Sequence, residues 1–245
     1  MEILKIENLT NKFEDLEVLK NLNLSIKKGE FVSIVGPSGC GKTTLFRLIT
    51  GLIKDYEGSI LVDNVEAKTY NKAIAYMPQK DMLLPFRTLY GNAKIPLEIR
   101  GIPKKDYDKH INPLLKDFLL EEHVNHYPSE LSGGLKQRAA LLRTFLIDSE
   151  LMLLDEPFGA LDAITRHKMQ KWLLDVWEKY NHTVLFITHD IDEALFLSDK
   201  VYVMSTKPGE FIKELNVEIE RPRKIEDSLS ETFINYKKEI MKYLE

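Results

Sequence analysis

The sequence predicts an α/β fold: a largely parallel sheet covered by helices, with a strand-rich start and a helical insertion. Three observations predict it. From Ser132 to Leu197 helix and strand signals alternate, and Leu151–Leu154, Val184–Ile187 and Val201–Met204 are unbroken apolar runs suited to a sheet buried on both faces. The strand Phe31–Val35 breaks at Gly36–Gly41, and Lys42–Leu52 then carries Leu45, Leu48 and Ile49 at helical spacing. Between Asp81 and Ser129 the texture changes, with Pro85, Pro96, Pro103, Pro113 and Pro128 punctuating short helical pieces.

The remaining elements follow in order. Ile3–Ile6 and Leu22–Ile26 alternate in part and read as strands, as do Ser59–Val62 and Ala73–Met77. The tail from Asp227 to Leu244 places Leu229, Phe233, Tyr236, Ile240 and Leu244 on one helical face, which predicts a helix packed on the core. One domain is therefore expected, in four stretches. Residues 1–80 and 149–215 form its core, residues 81–148 a helical subdomain, and residues 216–245 a short C-terminal extension.

Composition narrows the class without naming a function. A chain of 245 residues with 44% hydrophobic and 29% charged residues can build its core without disulfides or structural metal. Its longest apolar run is the five residues Ala73–Met77, against about 20 for a membrane-spanning helix. The N-terminal MEILKIENLT carries two Glu and does not read as a signal peptide. A net charge of −4 gives no basic footprint for nucleic acid. A single cysteine, Cys40, excludes an intrachain disulfide and a cysteine-based zinc site. The expectation is a soluble protein of a reducing compartment.

Gly36-Pro37-Ser38-Gly39-Cys40-Gly41-Lys42-Thr43 fits G-x-x-x-x-G-K-[ST] between a strand and a helix. The glycines let successive N–H groups point into one concavity, and the helix start adds partial positive charge for phosphate. Lys42 would reach the β- and γ-phosphates and the Thr43 hydroxyl would sit on Mg²⁺. Cys40 inside the loop reads as a small residue tolerated in a tight turn rather than as a reactive thiol.

The apolar run Leu151–Leu154 ends on Asp155 and Glu156. Two acids at the end of a buried strand call for a cation or ordered water to meet them. Asp155 suits a water-mediated hold on Mg²⁺, and Glu156 suits orienting or deprotonating an attacking water. The apolar strand Val184–Ile187 leads through Thr188 to His189, whose imidazole could bond a γ-phosphate, and Gln79 follows the Ala73–Met77 strand in a similar place. Ser132-Gly133-Gly134 opens another helix with an N-cap and bare backbone N–H groups. On spacing alone this is equally a second anion site, serving a nucleotide held by another chain, or a plain capped helix start.

Taken together, GPSGCGKT, Gln79, LSGG, LMLLDE, Gly159-Ala160-Leu161-Asp162 and His189, in this order, resemble the ATPase subunit of an ATP-binding cassette (ABC) transporter. The resemblance covers nearly the whole chain and departs at Leu135, where many members carry Gln or Met. It implies a P-loop NTPase core with an N-terminal antiparallel β subdomain and an inserted α-helical subdomain. It implies ATP and Mg²⁺, bound by Gly36, Ser38, Gly39, Cys40, Gly41, Lys42, Thr43 and Thr44, with Thr43, Gln79 and Asp155 on the metal side. Glu156, His189, Gln79 and Lys42 would be catalytic. Phe13 matches the aromatic that stacks on adenine, although a core Phe is the plainer reading of that residue alone. Ser132, Gly133, Gly134 and Asp162 would act across a head-to-tail dimer of ATPase subunits, expected as two copies of this chain.

The same resemblance implies permease subunits as partners, a solute-binding protein at one remove, no nucleic acid, and a peripheral place on the cytoplasmic face of the membrane. Leu83-Leu84-Pro85-Phe86, Ala160–Arg166, Lys207-Pro208-Gly209 and Arg221-Pro222-Arg223 look like the nitrate, sulfonate and taurine importer group, with phrases shared by importers of thiamine-type pyrimidine precursors. The 56 residues after His189 are too few for the regulatory domain of sugar-type importers. The alternatives are a nucleic-acid ATPase of the same superfamily or a nucleotide-gated partner without transport. Only 90 positions separate Lys42 from Ser132, which leaves no room for the coiled coils of the former.

Overall fold

The computed structural model describes residues 1–244. Two twelve-residue strands, β1 (Glu2–Phe13) and β2 (Leu16–Lys27), open the chain as an antiparallel hairpin that closes with Phe13 opposite Leu16. They are longer than their short alternating runs suggested, because register shifts around Asn8 and Asn11 carry the pairing past polar interruptions. After β3 (Phe31–Val35) and α1 (Lys42–Ile49), β4 (Glu57–Val62) pairs antiparallel with β1, and β5 (Val65–Glu66) completes a four-stranded sheet in the order β2-β1-β4-β5.

The second sheet contains β3, β6 (Ala75–Met77), β7 (Leu151–Asp155), β8 (Thr183–Thr188), β9 (Lys200–Met204) and β10 (Phe211–Asn216), in the order β10-β9-β3-β8-β7-β6. All its pairings are parallel except β10 with β9. The edge strand β10 escapes the sequence reading, because Phe-Ile-Lys-Glu-Leu-Asn mixes charges into a weak alternation. Alternation across the parallel strands divides two cores. Phe31, Val35, Leu154, Val184 and Phe186 face one layer, and Val32, Ile34, Leu153, Leu185 and Ile187 face the other with α1 and the antiparallel sheet. Burial on both faces is why these strands read as unbroken apolar runs.

Between β6 and β7 lie α2 (Leu89–Ala93), α3 (Ile95–Ile99), α4 (Tyr107–Asp117) and α5 (Gly133–Phe145). Pro96 sits in the first turn of α3, where its missing N–H costs nothing. Pro113 does not end α4, which runs through it with the ring exposed. Helices α6 (Ala163–Tyr180) and α7 (Ile191–Leu197) follow β7 and β8. The expected first helix is shorter than its pattern: α1 ends at Ile49, Gly51 turns the chain with φ of 71°, and Leu52 is exposed.

The tail helix α8 (Glu231–Leu244) buries Phe233 and Ile240 as expected, with Tyr236 and Leu244 partly covered. Leu229 is a correction: it lies in the preceding 3₁₀ turn, 78% exposed, so the face begins at Phe233. Two arginines pin this extension. Arg223 is buried and donates to the carbonyls of Leu195, Phe196 and Ser198, while Arg221 bonds Asp199 and stacks on Trp177. Among the described residues no helix is long and apolar enough to cross a membrane.

Candidate functional site

Parallel pairing aligns the ends of the central strands. Val35 lies beside Thr188, and Ile187 lies beside Asp155, so the segments that follow β3, β7 and β8 leave the same edge of the sheet. That is the edge where ligands bind in open α/β sheets. The Gly36–Gly41 loop leaves β3 there and hands over to α1 at Gly41, whose φ of 110° suits glycine, as does the 2.5 Å that would separate a Cβ from Leu19 Cδ2. No side chain caps α1 and no acid occupies its first turn, so its first N–H groups are suited to an anion.

The Lys42 ammonium donates to the carbonyls of Gly36 at 2.8 Å and Pro37 at 2.9 Å, with a longer contact of 3.8 Å to Cys40 Sγ. The Cys40 side chain points into the core. Burial, only partly opposed by Lys42, pushes its thiol pKa up, so it is no nucleophile.

Thr43 Oγ1 donates to Asp155 Oδ2 at 3.0 Å, and Tyr76 Oη to the same oxygen at 3.4 Å. Asp155 is almost wholly buried, and that burial raises its carboxyl pKa, with the Thr43 bond opposing and the charge of Glu156 adding to it. Burial, and then Asp155, push the Tyr76 phenol up to about 12. Tyr76 was missed from sequence because it reads as one more apolar strand residue. Glu156 turns the other way, with φ of 46°. Its Oε2 accepts from Gln79 Nε2 at 3.2 Å and lies 3.2 Å from His189 Nδ1. Three residues picked from distant stretches of sequence therefore meet at one carboxylate oxygen.

A cavity of about 450 Å³ opens beside them. Its wall contains Phe13, Ser38, Gly39, Gly41, Lys42, Thr43, Thr44, Gln79 and Glu156, all singled out from sequence. Gly36, Cys40, Asp155 and His189 stand behind this wall, Asp155 through Thr43 and His189 through Glu156. Leu16, Val18 and Lys207 complete the wall and were not anticipated. Leu16 enters the wall because it pairs with Phe13 at the hairpin end, and Lys207 was marked in sequence only as part of Lys207-Pro208-Gly209, not as a cavity residue. Its loop is tied to β2 by Gly209 N to Val18 O at 2.9 Å and Lys20 N to Gly209 O at 3.0 Å.

Ser132, Gly133, Gly134 and Asp162 are not in this wall. Ser132 Oγ accepts from Leu135 N at 3.4 Å as the cap of α5, and Asp162 Oδ1 from Thr165 N at 3.0 Å as the cap of α6. Bonding from Thr165 holds the Asp162 carboxyl below its usual range. The two helix starts adjoin, since a Cβ on Gly134 would meet Thr165 Cγ2 at 3.3 Å and one on Gly133 would meet Leu161 Cδ2 at 3.6 Å. They form an exposed surface of their own.

A family profile described as ABC transporter matches residues 19–159, more than half of the chain. The chain belongs to the ABC transporter ATPase family. An uncharacterized ABC transporter ATP-binding protein of Methanocaldococcus jannaschii is 42% identical, covering 98% of this chain and 91% of its own. An aliphatic sulfonates import ATP-binding protein of Bacillus cereus is 38% identical over 94% and 89%. A formylaminopyrimidine import ATP-binding protein of Halalkalibacterium halodurans is 40% identical over 92% and 88%. Among solved structures, the dimeric post-hydrolysis state of an ATP-binding cassette, bound to ADP and Pi, is 32% identical with a TM-score of 0.76, covering 89% of this chain and all of that one. This ABC ATPase thus has the P-loop NTPase fold, with an antiparallel N-terminal sheet, and binds and hydrolyses ATP.

Proposed function

We propose that this ABC ATPase powers an importer of a small solute, working as a head-to-tail dimer beneath partner membrane subunits. The observation that carries the reading is the meeting of Gln79, Glu156 and His189 at one carboxylate oxygen, beside a cavity whose wall also holds Lys42. Glu156 is placed to orient the attacking water and accept its proton, His189 and Gln79 to hold that water and the terminal phosphate, and Lys42 to carry the β/γ charge. Phe13, half exposed in the cavity wall, offers a face for adenine.

The residues present fit a magnesium ion. Thr43 Oγ1, the Gln79 amide oxygen and Asp155 form an all-oxygen set, and the buried Asp155 carboxylate, raised in pKa, is a charge that a cation would relieve. Among the described residues no group of three or more His, Cys, Asp or Glu gathers as a metal cage, so such an ion would take its other ligands from phosphates and water. Bound there, it would neutralise charge on the β- and γ-phosphates.

The exposed, adjoining caps Ser132 and Asp162 support the dimer reading: they offer phosphate-ready N–H groups away from the chain's own cavity. Met82, Phe86 and Ile99 are exposed apolar residues within 81–148, each available to contact a permease helix. Relatives named for sulfonate and formylaminopyrimidine import support a solute of the sulfonate or pyrimidine-precursor kind, and a peripheral place on the inner membrane face.

Two measurements test this. Glu156→Gln should abolish turnover while trapping an ATP-bound dimer on size exclusion; wild-type turnover in that variant would sink the assignment of Glu156. Purifying the chain with its permease, and adding solute-loaded binding proteins to the reconstituted complex, should reveal one solute class that stimulates hydrolysis. Stimulation by double-stranded DNA instead would overturn the transport reading.

A further inference from the structure

His189 meets the Glu156 carboxylate with its own side chain half exposed, and its position depends on its chain neighbours, Thr188 and Asp190. Both are held by buried groups outside the cavity. Glu193, on α7 and almost wholly buried, accepts from Thr188 Oγ1 at 2.6 Å through Oε2 and from Gln170 Nε2 at 3.2 Å through Oε1. Thr188 Oγ1 in turn accepts from Asp190 N at 3.0 Å. Arg166 of α6 places Nη1 3.5 Å from Asp190 Oδ2 and Nε 3.7 Å from Glu193 Oε1, and its Nη2 donates to the Leu161 carbonyl at 3.0 Å. Leu161 immediately precedes Asp162. A single bridge thus runs from the loop bearing Asp162, through Arg166 and Glu193, to the residues on either side of His189.

A carboxylate so buried is costly unless paired, and here burial raises its pKa despite the Thr188 bond. Packing alone would be met as well by an apolar residue, so the charge calls for another reason. None of Thr188, Asp190, Glu193, Gln170 and Arg166 lines the nucleotide cavity.

We propose that Glu193 and Arg166 are positioning residues for hydrolysis: they fix His189 against Glu156 and tie that placement to the Asp162 loop. The inference rests on the ATPase activity and not on the choice of solute, so the importer reading can fail without it. Their action is on the catalytic step, after nucleotide is bound.

Steady-state ATPase kinetics of the chain test this. Glu193→Gln keeps the shape and loses the charge, and Thr188→Val keeps the shape and loses the hydroxyl. Each is expected to lower kcat about tenfold, as for a misplacement of a fraction of an ångström, with the ATP concentration at half-saturation within about twofold of wild type. Thr188→Ser should restore most of the rate. Arg166→Gln should cost about as much as Glu193→Gln, and the double variant little more than either. Melting temperatures and far-UV spectra of each variant, with assays well below melting, exclude loss of fold. An unchanged kcat in Glu193→Gln and Thr188→Val, a loss carried wholly by half-saturation, a Thr188→Ser variant as slow as Thr188→Val, or fully multiplicative losses in the double variant would overturn the proposal.

Discussion

Arg223→Met removes the strongest tether of the C-terminal extension. Arg223 Nη1 meets the carbonyls of Leu195, Phe196 and Ser198 at 2.9, 3.1 and 2.7 Å, and these are carbonyls that end α7 without helical partners. Nε adds a bond to Ile219 O at 3.2 Å. Burial lowers the guanidinium pKa to about 10, which opposes the charge, yet the carbonyl cluster and the negative end of α7 both favour it. Methionine fills similar volume but satisfies no carbonyl. At about 1 kcal/mol for each of the three carbonyls left short, and up to about 1 for the helix end, the loss is about 3–4 kcal/mol. A domain of this size loses roughly 2–4 °C per kcal/mol, so melting should fall by about 10 °C. Thermal denaturation followed by circular dichroism measures it, with Glu226→Gln, at an exposed position in the same extension, as the control expected to stay within about 2 °C. A fall of less than about 3 °C in Arg223→Met would refute the reasoning, because water would then be satisfying the carbonyls.

Other predictions concern the site. Phe13→Ala should weaken ATP binding by about 1–3 kcal/mol, the range for base–aromatic stacking, read by calorimetry on a Glu156→Gln background. Asp155→Asn should abolish turnover yet raise the melting temperature of nucleotide-free protein by about 2–4 °C, an exchange of function for stability. Because the folded Asp155 carboxyl is raised, its contribution to stability is present below the ordinary carboxylate range and is lost as pH climbs through the folded value. The advantage of the Asn variant should therefore be larger at about pH 7 than at about pH 4, by melting curves in matched salt. Gly209→Ala would set a Cβ 2.3 Å from the Cys40 carbonyl, so the phosphate loop must move. A loss of roughly 1–3 kcal/mol in stability, together with weaker nucleotide binding, should appear in denaturant titration and calorimetry.

The central sheet was legible because its strands are buried on both sides and its loop motif needs glycine. What went unread lies where polar residues share a strand with apolar ones, as in β10, or where a bulge lets a strand continue, as in β1. Leu229 had the right spacing for the tail helix, but Ser230 starts that helix later by accepting from Phe233 N. In the site, Glu156, Gln79 and His189 could each be named from sequence, whereas their sharing of one oxygen depends on the register of β7 with β8 and β6. Tyr76 and Lys207 gave no sign of lying at the site, since one resembles core and the other belongs to a surface-loop phrase.

The Lys42 ammonium has three donors, and two of them already hold the Gly36 and Pro37 carbonyls. The third meets only the Cys40 sulfur at 3.8 Å, a contact weak enough to surrender to a phosphate oxygen. These two bonds brace the loop with no nucleotide present, so an arriving phosphate meets a third donor already aimed by the other two and is spared part of the entropy of ordering it.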